Sequence, residues 1–217
     1  ANEHNELKTK FIRNISSQME PTLNTLGASA KDLSAKAPQQ AEQMQAQVAA
    51  LKQFSDDIQE LSLLENSLTE PYEMGEVNAG TFCENVMEKA KEFMKPDVTP
   101  SVNAPKLQVK TNKEQLERIL LYLLKNAAFY TEQGRISLDF KKRGAHTHQF
   151  IITDTSTGIS AEQQENLFKP FTQVKDLTTG DGLGLPICSL IATKMNGSLT
   201  LDTGYTKGCR FILELHA

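Results

Sequence analysis

The chain has 217 residues, 39% of them hydrophobic and 23% charged, which suits a globular protein of one or two domains. Its net charge of −4, with no block of like charges, argues against direct binding of nucleic acid. No apolar run reaches the roughly 18–20 residues of a membrane span, and the polar, acidic start argues against a signal peptide.

Three widely spaced cysteines (Cys83, Cys188, Cys209) fit neither a disulfide framework nor a zinc site and read as reduced, cytoplasmic thiols. Of 12 glycines only Gly27 precedes residue 75, and of 14 aromatic residues only Phe11 and Phe54 precede residue 71. Two differently built regions are therefore expected, 1–72 and 73–217.

Residues 5 to about 69 read as two helices. In the first, Leu7, Phe11, Ile15, Met19, Leu23 and Leu26 advance by three or four, with Pro21 predicting a kink near Ile15–Pro21. Pro38 marks the turn and suits a first helical position. In the second helix Met44, Val48, Leu51, Phe54, Ile58, Leu61 and Leu64 follow a bundle seam. One hairpin cannot cover both stripes, so a second copy and a dimeric four-helix bundle are expected.

From about residue 73 the pattern becomes mixed. Strands are predicted at Leu107–Lys110, Arg135–Phe140, Gln149–Thr153, Ser198–Asp202 and Arg210–Leu215. Helices are predicted at Gly80–Met94, Asn112–Tyr130 and Leu185–Met195, the last closed by Asn196-Gly197.

Gly180-Asp181-Gly182-Leu183-Gly184 carries glycine at alternate positions, so backbone N–H groups can approach a phosphate, and Pro186 is expected to start the following helix. A loop that is merely glycine-rich is the alternative. The segment is neither a Rossmann fingerprint nor a Walker A loop. Asp154, after the most apolar strand, can accept from an exocyclic amine while Gly158 admits a flat ring; capping of a turn is the plainer reading. Asn126 interrupts an apolar helix, where a carboxamide without a partner costs about 1–3 kcal/mol. Donation to Mg2+ would explain it, as would a bond to a neighbouring loop.

Asn126 on a helix, Asp154 after a strand, Leu167-Phe168-Lys169-Pro170-Phe171 and the glycine triplet follow one another as the N, first glycine, F and second glycine boxes do. Residues 73–217 thus resemble the Bergerat-type ATP-binding domain, in its sensor histidine kinase branch. The resemblance implies an α+β chain: a helical hairpin followed by an α/β sandwich with a mixed sheet, helices on one face and a lid at about Ser160–Asp181. It implies Asn126 as Mg2+ ligand and Asp154 as adenine partner, with Gly180, Gly182 and Gly184 as phosphate cradle and hinge. Tyr130, Gly158, Ile159 and Leu183 would line the ATP site, and Phe168 and Phe171 would anchor the lid. Tyr122 stands where hydrolytic relatives place a Glu base, which favours phosphotransfer or binding over hydrolysis.

Phe11 to Asn24 is similar to the H box of histidine kinases, which reads Phe, four residues, Ser-His-Glu, an apolar residue, Arg-Thr-Pro-Leu. Aligned on Phe11, Ser16, Met19 and Leu23, the phosphoacceptor His falls on Ser17, the adjacent acid on Gln18 and the phosphatase-associated Thr on Pro21. No histidine elsewhere (His4, His146, His148, His216) substitutes. A Ser without a neighbouring base is a poor nucleophile. Because positions 18, 20 and 21 also depart from the pattern, drift of the box is favoured over one engineered change. Ser156 replaces the first Gly of the first glycine box, and Phe129 a frequent basic residue after Asn126. The implied protein is the cytoplasmic part of a membrane-bound sensor, a homodimer that uses ATP and Mg2+ and addresses a response regulator receiver domain. The alternatives are a signalling pseudokinase scaffold and a kinase acting in trans.

Overall fold

The computed structural model describes residues 2–172, 177 and 180–216. The chain divides into two compact units: Ala1–Ser67 with Asn166–Ile187, and Leu68–Glu165 with Cys188–Ala217.

The first unit is built on α1 (Asn2–Asp32) and α2 (Pro38–Asn66), joined by a 3-10 turn at Leu33–Ala35. Pro38 opens α2, where its missing N–H is one of the unpaired first-turn donors anyway. Pro21 lies inside α1, which continues through it, so the carbonyl of Ser17 loses its i+4 donor. Polar contacts join the two helices beside an apolar seam. Thr9 Oγ1 meets Ser62 Oγ at 3.1 Å, Asn66 Nδ2 donates to Thr9, and Lys52 Nζ donates to Asn24 Oδ1 at 2.8 Å. Leu23, Val48, Leu61 and Leu64 are buried, whereas Leu7 and Phe11 remain 67% and 65% exposed. One chain therefore covers the seam of α2 far better than the stripe of α1.

In the second unit, β1 (Gly75–Asn78) pairs antiparallel with β3 (Gln108–Thr111). A five-stranded mixed sheet has the order β2 (Val98–Asn103), β4 (Gly134–Lys142), β5 (Thr147–Asp154), β7 (Cys209–His216), β6 (Gly197–Leu201). Only β2–β4 is parallel. Period-2 alternation sends Ile136, Leu138 and Phe140, then Phe150 and Ile152, then Phe211, Leu213 and Leu215 to one buried face. Against it pack α3 (Ala79–Ala90) and α4 (Lys113–Tyr130). On α4 the buried positions Leu116, Ile119, Leu120, Leu123, Leu124 and Ala127 form one stripe of helical period. Asn78 and Asn112 cap these two helices, accepting from Thr81 N (3.0 Å) and Gln115 N (2.9 Å).

The fold is α+β, as expected. The sequence reading lacks β1, β2 and the short α5 (Ala161–Glu165). Strand β2 contains Pro100, which a sheet tolerates because β2 is its edge. Helix α6 (Gly184–Lys194) starts two residues before Pro186, so that proline sits in the first turn rather than opening the helix. At its end Asn196, not Gly197, takes the left-handed conformation (φ 60°), and Gly197 starts β6.

Candidate nucleotide-binding site

In the second unit the sheet fixes Asp154. It is the last residue of β5, paired with Ile136 of β4 and Cys209 of β7, and it is 5% exposed. Its Oδ1 accepts two backbone N–H groups, from Ser156 at 2.9 Å and Cys209 at 3.1 Å. Among the described residues its Oδ2 accepts none, so a buried carboxylate, oriented from two sides, keeps one oxygen for an incoming donor.

The backbone after Asp154 needs glycine at two points. Gly158 has φ 82°, and a Cβ on Gly208 (φ 150°) would lie 2.0 Å from the Asp154 carbonyl oxygen. Thr155 ties the turn to the neighbouring strand: Arg135 N donates to its Oγ1 at 3.0 Å. Ile159 is half-buried, its carbonyl accepting from Gln164 Nε2 at 2.9 Å.

Asn126 lies on α4 between Leu124 and Ala127, both buried, and is itself half-buried. Its carboxamide makes no hydrogen bond among the described residues. Among the described residues the neighbouring-loop bond that would have explained it is not seen, and a neutral carboxamide oxygen suits a Mg2+ ligand. Tyr130 is exposed and meets Phe129 edge-to-face at 4.9 Å. The Phe129 carbonyl accepts from Lys95 Nζ at 3.1 Å, and Lys125 Nζ lies 4.6 Å from the Phe93 ring centre.

The remaining expected site residues belong to the first unit. Gly180 and Gly182 have φ of 141° and 70°, and nothing among the described residues crowds a Cβ built on Gly180, so it is conformation that selects glycine there. Leu183 is fully buried, and its N–H donates to Asp181 Oδ1 at 3.0 Å. Gly184 begins α6. Phe168 is half-buried, while Phe171 is 57% exposed in a left-handed conformation (φ 66°). The buried member of this box is Leu167. Of the expected lid, 173–176 and 178–179 lie outside the described residues.

Sequence reading missed a carboxyl pair in this unit. Asp57 on α2 is pushed up from 3.8 to about 7 by burial and then by the neighbouring Asp181 carboxyl. Among the described residues Asp181 Oδ2 is buried without a hydrogen-bond partner. An aspartate on a helix face reads as a solvated charge, and no local pattern reveals a partner more than a hundred residues away.

Ser17 is exposed on α1, and its Oγ donates to the Asn14 carbonyl at 3.1 Å. Gln18 borders an open groove of about 350 Å³ with Ile15, Met19, Thr22, Leu23, Leu26 and Leu51. No described helix is long and apolar enough to cross a membrane.

Residues 111–217 match the family described as histidine kinase-, DNA gyrase B- and HSP90-like ATPase. The aerobic respiration control sensor protein ArcB of Escherichia coli K12 is 24% identical over 97% of the chain, which spans 29% of ArcB. The sensor histidine kinase RppB of Synechocystis is 34% identical over 55% of the chain and 27% of RppB. The chain thus spans less than a third of these relatives. Among solved structures, ShkA in complex with AMPPNP covers 95% of the chain at TM-score 0.73 and 21% identity, with 45% of ShkA matched. The Acinetobacter baumannii histidine kinase AdeS covers 91% at TM-score 0.68 and 19% identity, with 96% of AdeS matched. These likenesses support a sensor histidine kinase ATP-binding core behind an N-terminal helical region.

Proposed function

We propose that the chain binds ATP-Mg for phosphotransfer to a histidine in two-component signalling. The observation that carries the reading is Asp154, whose Oδ1 is fixed by two N–H groups while Oδ2 stays open for a base amine. In this reading Tyr130, Gly158 and Ile159 flank the base and Asn126 holds Mg2+. Gly180, Gly182, Leu183 and Gly184 take the phosphates, and Phe168 and Phe171 anchor the lid. The metal, when bound, neutralises phosphate oxygens.

Residues 1–72 form the dimerisation hairpin and 73–217 the catalytic domain. The exposed stripe of Leu7, Phe11, Ile15 and Leu26 supports a homodimer, because a second copy is the simplest cover for it. The downstream partner is a response regulator receiver domain, and the setting is cytoplasmic.

A second reading, an ATP-responsive scaffold or a kinase acting in trans, rests on Ser17. Its hydroxyl is spent on the Asn14 carbonyl, and Gln18 is no base. Incubation with γ-labelled ATP separates these readings. Label on the Ser17→His chain alone shows a competent ATP half that lacks only its acceptor. Label on a partner bundle shows action in trans. Nucleotide binding with no label anywhere supports the scaffold, and absence of nucleotide binding refutes the proposal.

A further inference from the structure

Position 156 is where this chain departs from the first glycine box, and its side chain is engaged. Ser156 Oγ accepts from Gly158 N at 3.3 Å and donates towards Cys209 Sγ at 3.8 Å. The backbone N–H groups of the same two residues, Ser156 and Cys209, hold Asp154 Oδ1 at 2.9 and 3.1 Å. Asp154, Ser156 and Cys209 therefore close a ring across β5 and β7. Glycine at 156 would keep the backbone half of that ring and lose the side-chain half.

We propose that Ser156 is a positioning residue for adenine recognition: its hydroxyl, fastened to Gly158 and Cys209, keeps Asp154 Oδ2 aimed at the exocyclic amine. The proposal rests on the ATP reading above and adds a specificity element to it. A sulfur acceptor and a 3.3 Å contact are each weak. Their effect comes from geometry, because one hydroxyl ties the base-edge acceptor to the glycine that faces the ring, and a carboxylate ordered beforehand loses less freedom on binding. Burial, and next the charge of Asp154, push the Cys209 thiol up, so near neutral pH it remains S–H and sets no second negative charge beside the carboxylate.

The test is calorimetric titration of the whole chain, as found and with Ser156→Ala or Ser156→Thr, with ATP and with purine riboside triphosphate, which lacks the 6-amino group. Phosphate and metal contacts are common to both ligands and cancel in the affinity ratio. That ratio reads the amine–carboxylate bond, and it should favour ATP about tenfold or more in the unaltered chain. Ser156→Ala, which keeps Cβ, should cut the ratio at least about threefold, and Ser156→Thr should hold it within about twofold. An unchanged ratio in a folded Ser156→Ala chain overturns the proposal, as does an equal loss in Ser156→Thr. A ratio near one in the unaltered chain overturns the Asp154 assignment and the proposal with it. Failure of both ligands to bind overturns the ATP reading itself.

Discussion

Replacing Asp57 by Asn should stabilise the helical unit above neutral pH and leave it unchanged near pH 4. The Asp57 carboxyl rises from 3.8 to about 7 through burial, the Asp181 carboxyl and Glu60, opposed by the Gln53 amide, whose Nε2 donates to Asp57 Oδ1 at 2.8 Å. Between pH 3.8 and about 7 the folded chain holds a proton that the unfolded chain has released. Stability from this group therefore falls as pH rises through that window and is flat on either side. Three units at 1.36 kcal/mol each set a ceiling of about 4 kcal/mol. Asp57 is only half-buried, and screening by water reduces that to about 1–2 kcal/mol. Asn keeps an oxygen for Gln53, offers Asp181 an N–H and cannot ionise. Urea unfolding followed by the helical circular dichroism signal at pH 4.5, 6 and 8 should show the advantage of Asp57→Asn growing from near zero to about 1–2 kcal/mol. Parallel stability curves for the two chains would refute the argument.

In Gly208→Ala the new methyl meets the Asp154 carbonyl oxygen at 2.0 Å in a left-handed backbone, so a loss of about 2 kcal/mol or more is expected. Thermal melting checks the stability, and weaker binding of a fluorescent ATP analogue checks the displacement of Asp154. Asn126→Ala should lower nucleotide affinity in Mg2+ to the level seen in EDTA, and an unchanged affinity would remove the metal-ligand assignment. Light scattering at micromolar concentration should show a dimer. Replacing Leu7 and Phe11, 67% and 65% exposed in one chain, by Ser should weaken it at least about a hundredfold, and a monomer from the unaltered chain would refute the bundle.

What the sequence revealed depended on how locally each element is specified. Strand β5 is legible because Phe150, Ile151 and Ile152 supply its burial from within. Strand β2, Val-Thr-Pro-Ser-Val-Asn, has no such run and is held by its parallel register with β4, information that lies more than thirty residues away. The site divides in the same way. Asp154, Asn126 and the glycines stand in motifs that a linear reading finds. The Ser156–Cys209 tie does not, because only the β5–β7 register that sets Asp154 opposite Cys209 brings the two residues together.

The segment after α5 carries the consequence furthest. Read along the chain, Ser160–Asp181 is one lid of the ATP-binding domain. In the fold, Asn166–Ile187 groups with the helical hairpin, and there Asp181 occupies the Leu183 N–H with Oδ1 and its carboxyl neighbours Asp57. A backbone N–H in a glycine-rich loop ahead of a helix is the donor a phosphate takes. In the proposed ATP reading a triphosphate engaging Leu183 would displace a carboxylate from that N–H, and Asp181 would leave the side of Asp57. In that reading, nucleotide capture by this loop and the protonation of Asp57 on α2 would be linked through one side chain. Such a linkage is reciprocal: a proton on Asp57 would weaken phosphate binding by the same factor by which phosphate binding lowers the affinity of Asp57 for it.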